Sequence, residues 1–145
     1  MRLSTRTRYG MRAAFELARH YGPRPEPLGI HAIAKDQEVS AKYLEQVIAV
    51  LKVSGVVRSV RGAKGGYVLA KSPKKIKLSE IFNALEGAVT TVECVHNEKY
   101  CDRSADCVIR NLWKQLNDCI DGVMESMTLQ DLLDREKKTK ADYQI

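Results

Sequence analysis

Apolar residues recur at helical spacing through the first half of the chain and predict three helices. The first spans "STRTRYGMRAAFELARHYG" and can be capped by Ser4 or Thr5. Within it, Ala13, Ala14, Leu17 and Tyr21 fall at helical spacing. A short helix from about His31 to Asp36 gives way at "QEVS" to a third helix, which Ser40 caps and Gly55 ends. Helix, short turn and capped helix together are the pattern of a helix-turn-helix.

Two short alternating segments follow, "VVRSV" and "GYVLA", and "RGAKGG" joins them. They predict a β-hairpin, because the glycines permit a tight tip between the strands. A basic hairpin directly after a helix-turn-helix is a wing, so the pattern predicts a winged helix. The glycine-rich tip lacks the spacing of a P-loop, which argues against a nucleotide site.

The second half predicts a linking helix at "KLSEIFNALEG", with Ile81, Phe82 and Leu85 turned inward, and a long helix from about Asp106 to Met127. The apolar residues of the long helix cover an arc too wide for one small domain to bury. They fall into two sets: Leu112, Leu116, Cys119, Val123 and Met127, and Ile109, Trp113, Leu116, Ile120 and Val123. The surplus predicts a dimer interface, and Cys119 is expected in the core rather than at a ligand site.

These elements predict a mostly α fold with a small β-wing, in which a winged helix-turn-helix is followed by a long dimerisation helix. Residues 1–77 are expected to form the DNA-binding domain. Residues 78–135 would hold the linking helix, a three-cysteine loop and the dimerisation helix. The remainder, 136–145, is expected to be a mobile polar tail.

Composition narrows the class of protein. At 44% apolar and 29% charged residues the chain is typical of a soluble globular protein. No signal peptide is visible and no apolar segment approaches the roughly 20 residues that cross a bilayer, so we expect a cytoplasmic protein with reduced cysteines and no membrane partner. Residues 1–77 carry 16 Lys or Arg against 5 Asp or Glu, whereas the remainder has 8 against 13. The basic half therefore indicates an anionic partner.

Double-stranded DNA is the partner that this pattern favours. The third helix offers its N-terminus to phosphate and fits a major groove. There Glu45 can accept from cytosine, and Gln46 can pair with adenine. Arg61 and Lys64 lie at the wing tip, where a narrow minor groove attracts basic side chains. The candidate DNA-binding residues are Ser40, Lys42, Tyr43, Glu45, Gln46, Arg61 and Lys64.

The stretch "CVHNEKYCDRSADC" places Cys94, Cys101 and Cys107 in one loop, with six and then five residues between them. Thiolates bind iron–sulfur clusters, zinc and copper(I), and these long spacings favour an iron–sulfur cluster over zinc. A fourth ligand could come from His96, Asp102, Asp106, Cys119 or the other subunit. A thiol switch that forms a disulfide on oxidation stays open. An enzyme with Cys94 as nucleophile and His96 as base would lack an orienting group, so we expect no catalysis.

"MRLSTRTRYG", "AKYLEQVIAVLKVSGVVRSVRGAKGGYVLAK" and the cysteine loop resemble the IscR, NsrR and CymR group of bacterial winged-helix regulators, the Rrf-two family, as far as about residue 135. The resemblance implies a homodimeric repressor that binds a palindromic operator. It matches Ser40, Tyr43, Glu45 and Gln46 to the recognition helix and Arg61 to the minor-groove arginine.

The three cysteines resemble those of IscR-like members. This implies an iron–sulfur cluster, 2Fe–2S rather than 4Fe–4S, and control of cluster biogenesis genes. The alternative is a CymR-like regulator without a cluster, switched by thiol oxidation, zinc or a protein partner. The chain departs from the family in having six rather than five residues between Cys94 and Cys101. It also has Arg110 where IscR has a histidine ligand and Arg8 where NsrR-type members use an aspartate, so the resemblance does not supply the fourth ligand.

Overall fold

The computed structural model describes residues 2–144, and it confirms the predicted fold class of helices with a small wing. Its helices are α1 (Thr5–Arg19), α2 (Ile30–Gln37), α3 (Ala41–Val53), α4 (Leu78–Leu85), α5 (Glu93–His96), α6 (Val108–Ser126) and α7 (Leu129–Asp142). The two strands are β1 (Val57–Val60) and β2 (Gly66–Leu69). Among these residues no helix is both long enough and apolar enough to cross a membrane.

Helices α1 and α3 each begin at a serine whose side chain satisfies a free backbone N–H group. The Oγ atoms of Ser4 and Ser40 each accept a hydrogen bond from the backbone N–H three residues later, at 3.1 Å. Glu38 adopts a left-handed conformation, φ 55°, in the turn between α2 and α3. Tyr21, which its spacing assigned to the first helix, lies beyond the end of α1 and is 41% exposed.

The wing is antiparallel, with Val57 opposite Leu69 and Val60 opposite Gly66. Leu28, which precedes α2, exchanges two backbone hydrogen bonds with Tyr67, at 2.9 and 3.0 Å, and ties the wing to the helices. This close approach requires glycine, because a Cβ on Gly66 would lie 2.4 Å from the Leu28 carbonyl oxygen.

One hydrophobic core extends across the predicted domain boundary at residue 77. Its fully buried members come from α1, α3 and α4, from the residue before β1, from the segment before α4 and from the start of α7: Ala13, Ala14, Leu44, Val47, Ile48, Leu51, Val56, Ile76, Ile81, Leu85 and Leu129. The inward residues predicted for α4 are all buried. The domain boundaries themselves stay a prediction.

The end of α6 is fixed to the segment before α4 by backbone pairing. Leu78 N–H donates to the Met127 carbonyl oxygen at 2.9 Å, and Leu129 N–H donates to the Ile76 carbonyl oxygen at 3.0 Å. We call residues 76–78 and 127–129 the backbone clasp.

Helix α7 replaces most of the predicted polar tail, which is helical as far as Asp142. A reciprocal capping box between Thr128 and Asp131 starts the helix. Farther along, Glu136 binds Arg19 of α1, with 2.5 Å between Oε1 and Nη2. This bond raises the pKa of Arg19 and lowers the pKa of Glu136. The predicted mobile tail also included Ile145, which lies outside the described residues.

Candidate DNA interface and cysteine loop

Helix α3 has one buried face and one exposed polar face. Leu44, Val47 and Ile48 are fully buried against the core. Lys42, Glu45 and Gln46 are exposed, as is the N-cap Ser40. The first two turns therefore present hydrogen-bonding side chains and unpaired N–H groups to solvent.

Tyr43 differs from its neighbours because it is half-buried against α1. Its ring meets Tyr9 edge to face, with 6.1 Å between centroids and 81° between ring planes. The guanidinium of Arg12 lies 5.9 Å from the centre of the Tyr9 ring. Helix α1 thus supports the start of α3, a contact that the sequence did not indicate.

Arg61 and Lys64 are exposed between β1 and β2. Leu28 pairs with Tyr67, one residue from the tip end of β2, so both basic side chains project from a supported turn. All the candidate DNA-binding residues therefore lie on two elements, α3 and the wing.

The cysteine loop, residues 92–107, consists of α5 and two 3₁₀ turns, Glu98–Tyr100 and Ser104–Asp106. Its three cysteines are free thiols; Cys94 and Cys107 are half-buried and Cys101 is exposed. Within residues 2–144, no three Cys, His, Asp or Glu side chains are grouped in a way that could hold a metal ion. Joint ligation by the thiols therefore requires the loop to close around the bound group.

A buried hydroxyl in the loop tests whether an iron–sulfur cluster suits it. Ser104, between Cys101 and Cys107, is only 5% exposed, and its Oγ has no hydrogen-bond partner among the described residues. An unsatisfied buried hydroxyl costs about 1–3 kcal/mol, and a thiolate or sulfide would accept a hydrogen bond from it. Three thiolate donors and a free hydroxyl donor are chemically suited to an iron–sulfur cluster.

His96 faces α6 through one of its two ring nitrogens. Its Nε2 lies 2.7 Å from the Val89 carbonyl oxygen and 3.2 Å from Nδ2 of Asn117. Asn117 is 1% exposed, and its Oδ1 accepts from Thr91 N–H at 2.9 Å. In this arrangement only Nδ1 of His96 is left to bind a metal.

Arg110 of α6 contacts both α5 and the residues that follow it. Its Nε donates to the Cys94 carbonyl oxygen at 2.7 Å, and its Nη2 lies 3.5 Å from the Val95 carbonyl oxygen. The same Nη2 lies 3.1 Å from Oε1 of Glu98, and the Arg110 side chain is only 15% exposed. The sequence had identified Arg110 only as a departure from a ligand. Arg110 and Asn117 fall at helical spacing with Trp113, Ile120 and Met124, which are half-buried. This spacing was the signal in the sequence that Arg110 lies on the inward face of α6.

The opposite face of α6 is an exposed apolar stripe. Its members follow one another at spacings of three, four, three and four residues: Ile109, Leu112, Leu116, Cys119 and Val123. The four aliphatic members are between 44% and 55% exposed. Cys119, expected in the core, is exposed because α6 turns this face away from the rest of the chain.

The sequence is similar to known transcriptional regulators over most of its length. A family model, Rrf2, described as "Iron-dependent Transcriptional regulator", matches residues 3–135. The HTH-type transcriptional regulator CymR of Bacillus subtilis is 38% identical over 132 residues, which are 91% of this chain and 89% of the relative.

Two solved structures are also similar to the chain. The structure of T. potens IscR has a TM-score of 0.77 and 37% identity, covering 96% of this chain and 90% of that one. The oxidized form of Staphylococcus aureus CymR has a TM-score of 0.73 and 32% identity, covering 91% and 95%. The expectation that the chain is not an enzyme is confirmed, because the matched family and the curated relative are transcriptional regulators.

Proposed function

The chain belongs to the Rrf2 family of transcriptional regulators, as its sequence resemblance predicted, and we propose that it is a homodimeric repressor that senses iron–sulfur cluster status. Its operator would be a palindromic site in double-stranded DNA, and its targets would include cluster biogenesis genes. One observation carries the sensing part: three free thiols lie in a single loop that is bound to α6, the helix with the exposed apolar stripe.

The DNA contacts follow from exposure and chemistry. Ser40 and Lys42 would bind phosphate at the start of α3, with Tyr43 beside them. Glu45 and Gln46 would contact cytosine and adenine edges in the major groove. The basic wing-tip residues Arg61 and Lys64 would enter the neighbouring minor groove.

The exposed stripe on α6 supports a homodimer. Alternating spacings of three and four residues form the seam of a coiled coil, in which a second identical helix covers the apolar residues. Such a pairing makes the assembly two-fold symmetric. Symmetric dimers place their recognition helices in major grooves about one DNA turn apart, so the operator would be palindromic.

The cluster would be held by Cys94, Cys101 and Cys107, with the Ser104 hydroxyl donating to a sulfur. When bound, it would supply a redox-sensitive link between the thiols. A 2Fe–2S cluster is favoured by the IscR resemblance. His96 could complete the ligand set only through Nδ1. Asp102, Asp106 or a group from the partner subunit would otherwise supply the fourth ligand, whereas Cys119 lies on the opposite face of α6.

The test is an absorption spectrum with iron and acid-labile sulfide analysis on protein purified without oxygen. A visible chromophore with about one sulfide per iron supports the proposal. Cys107→Ala should lose it, whereas Cys119→Ala, a matched change outside the loop, should keep it. Colourless wild-type protein with zinc or without metal would refute cluster sensing and leave the DNA-binding assignment intact.

A thiol switch is the second candidate, and two observations favour it. One of the similar solved structures is an oxidized form of Staphylococcus aureus CymR, and Cys101 of this chain is an exposed free thiol. Hydrogen peroxide would oxidise two loop thiols to a disulfide and be reduced to water. Peptide mass mapping would identify the bridge, and an accompanying change in DNA affinity in metal-free protein would favour this mode.

A further inference from the structure

We infer that Arg110 is a positioning residue that makes the Cys94 segment move together with helix α6. This inference rests on the proposed sensing function and assigns its route of transmission. Three acceptors within five residues, the carbonyl oxygens of Cys94 and Val95 and the carboxylate of Glu98, converge on one guanidinium. We call this set of contacts the arginine clamp.

The clamp holds the backbone of Cys94 and leaves its sulfur free. The carbonyl groups at the C-terminal end of a helix have no partner within that helix, and α5 is a single turn. Arg110 supplies the missing donors from a different helix. The Cys94 thiol can therefore bind or react while the carbonyl of the same residue stays attached to α6.

A guanidinium suits this role better than it would suit ligation. Arginine carries its charge throughout the ordinary pH range and has no free lone pair for a metal. Its planar fork can contact several acceptors at once, which a lysine ammonium on a flexible stem does poorly. Arg110 thus connects α6 to the Cys94 segment at the position where IscR has a ligand.

A second attachment lies two turns along the same face of α6. Asn117 holds Thr91 and Val89, and the Thr91 hydroxyl lies 3.3 Å from the Trp113 carbonyl oxygen. Because Arg110 and Asn117 are seven residues apart on one face of α6, they hold residues 89–98 at two points. This segment and α6 therefore move as one unit. Since the backbone clasp fixes the far end of α6 to the segment before α4, displacement of Cys94 would pivot α6 about that end.

Hydrogen–deuterium exchange of the full-length, cluster-free protein tests the clamp first. Arg110→Gln should speed amide exchange in residues 93–98 about tenfold, because the segment opens more easily. Arg110→Lys should be intermediate, about threefold. Arg103→Gln is the matched control, since Arg103 is exposed in the same loop and takes no part in the clamp. Unchanged exchange in α3 would verify that each variant folds.

The second arm compares each protein before and after reconstitution with ferrous iron and sulfide. In the wild type, loading should change exchange in both the loop and α6. In Arg110→Gln the loop response should persist while the α6 response falls at least threefold, a separation that a simple loss of fold would not produce.

The outcomes separate the coupling role of Arg110 from the proposed binding of a cluster. Wild-type exchange in residues 93–98 of Arg110→Gln, or a full α6 response in that variant, would overturn the coupling role. Failure of the wild type to take up iron and sulfide would overturn the cluster proposal instead, and the first arm would still decide whether the clamp exists.

Discussion

Glu86 joins the start of α1 to the end of α4, and its replacement by glutamine should destabilise the fold in a pH-dependent way. Its carboxylate accepts hydrogen bonds from the Ser4 hydroxyl at 2.6 Å, from Ser4 N–H at 3.2 Å and from the Thr7 hydroxyl. Arg6 Nε donates to the adjacent Leu85 carbonyl oxygen at 3.0 Å. The Ser4 and Thr7 bonds, assisted by the charge of Arg6, lower the pKa of Glu86 from its ordinary value of 4.5.

The size of the effect follows from these contacts. A hydrogen bond to a charged group contributes about 1.5–3 kcal/mol, whereas a neutral one contributes about 0.5–1.5 kcal/mol. The amide of Glu86→Gln keeps one acceptor oxygen and loses the charge, and solvent screens a half-buried carboxylate. We therefore expect the free energy of unfolding to fall by about 1–2 kcal/mol at pH 7, similar to the loss of a helix cap.

The pH dependence has a definite sign. Because the folded pKa of Glu86 lies below the unfolded one, its stabilisation is complete above about pH 4.5 and disappears as pH falls through the folded pKa. The difference between wild type and Glu86→Gln should therefore shrink in acid. Urea unfolding at fixed protein concentration, from pH 7 to about pH 3, measures it.

A matched change elsewhere isolates the contacts of Glu86. Glu26→Gln alters the same charge at an exposed position and should leave stability nearly unchanged. Equal stability of Glu86→Gln and wild type at pH 7, or a difference that stays constant into acid, would refute the reasoning.

Three further predictions concern the proposed function. Gln46→Ala should reduce the discrimination between bases at one position of the operator by about 1–3 kcal/mol. Competition binding would measure this on a duplex selected by the wild type and on its single-base variants, and unaltered selectivity would disprove the contact. Leu116→Glu should shift the dimer to monomer in sedimentation, whereas Lys114→Glu, also exposed on α6, should not; a stable Leu116→Glu dimer would argue against the stripe as the interface. Ser104→Ala should make the reduction potential of cluster-loaded protein more negative in a redox titration, and an unchanged potential would mean that its hydroxyl does not donate to the cluster.

The winged helix was predictable because its signals are local. The Ser40 cap, the apolar face of α3 and the two short strands are each specified within a few residues of sequence. Even there, the need for Gly66 to be glycine comes from Leu28, which is distant in sequence and adjacent in space.

The features that the sequence did not reveal depend on contacts between distant segments. The arginine clamp exists because α5 packs beside α6, which no spacing within the loop specifies. Helix α7 was missed for another reason: its polar residues resemble a tail, although Thr128 and Asp131 form a readable capping box. Its docking on α1 through Glu136 and Arg19 could be known only from the fold.

The backbone clasp has a consequence for engineering. Because residues 76–78 pair with 127–129, and Leu129 is fully buried with Ile76, a chain ended after residue 77 would lose part of its own interior. Residues 1–77 and 78–145 are therefore poorly suited to being exchanged as separate modules between related regulators. A new operator preference should be transferable by exchanging only the exposed side chains of α3 and the wing tip. Such an exchange leaves the hydrophobic core and the backbone clasp of the receiving protein unchanged.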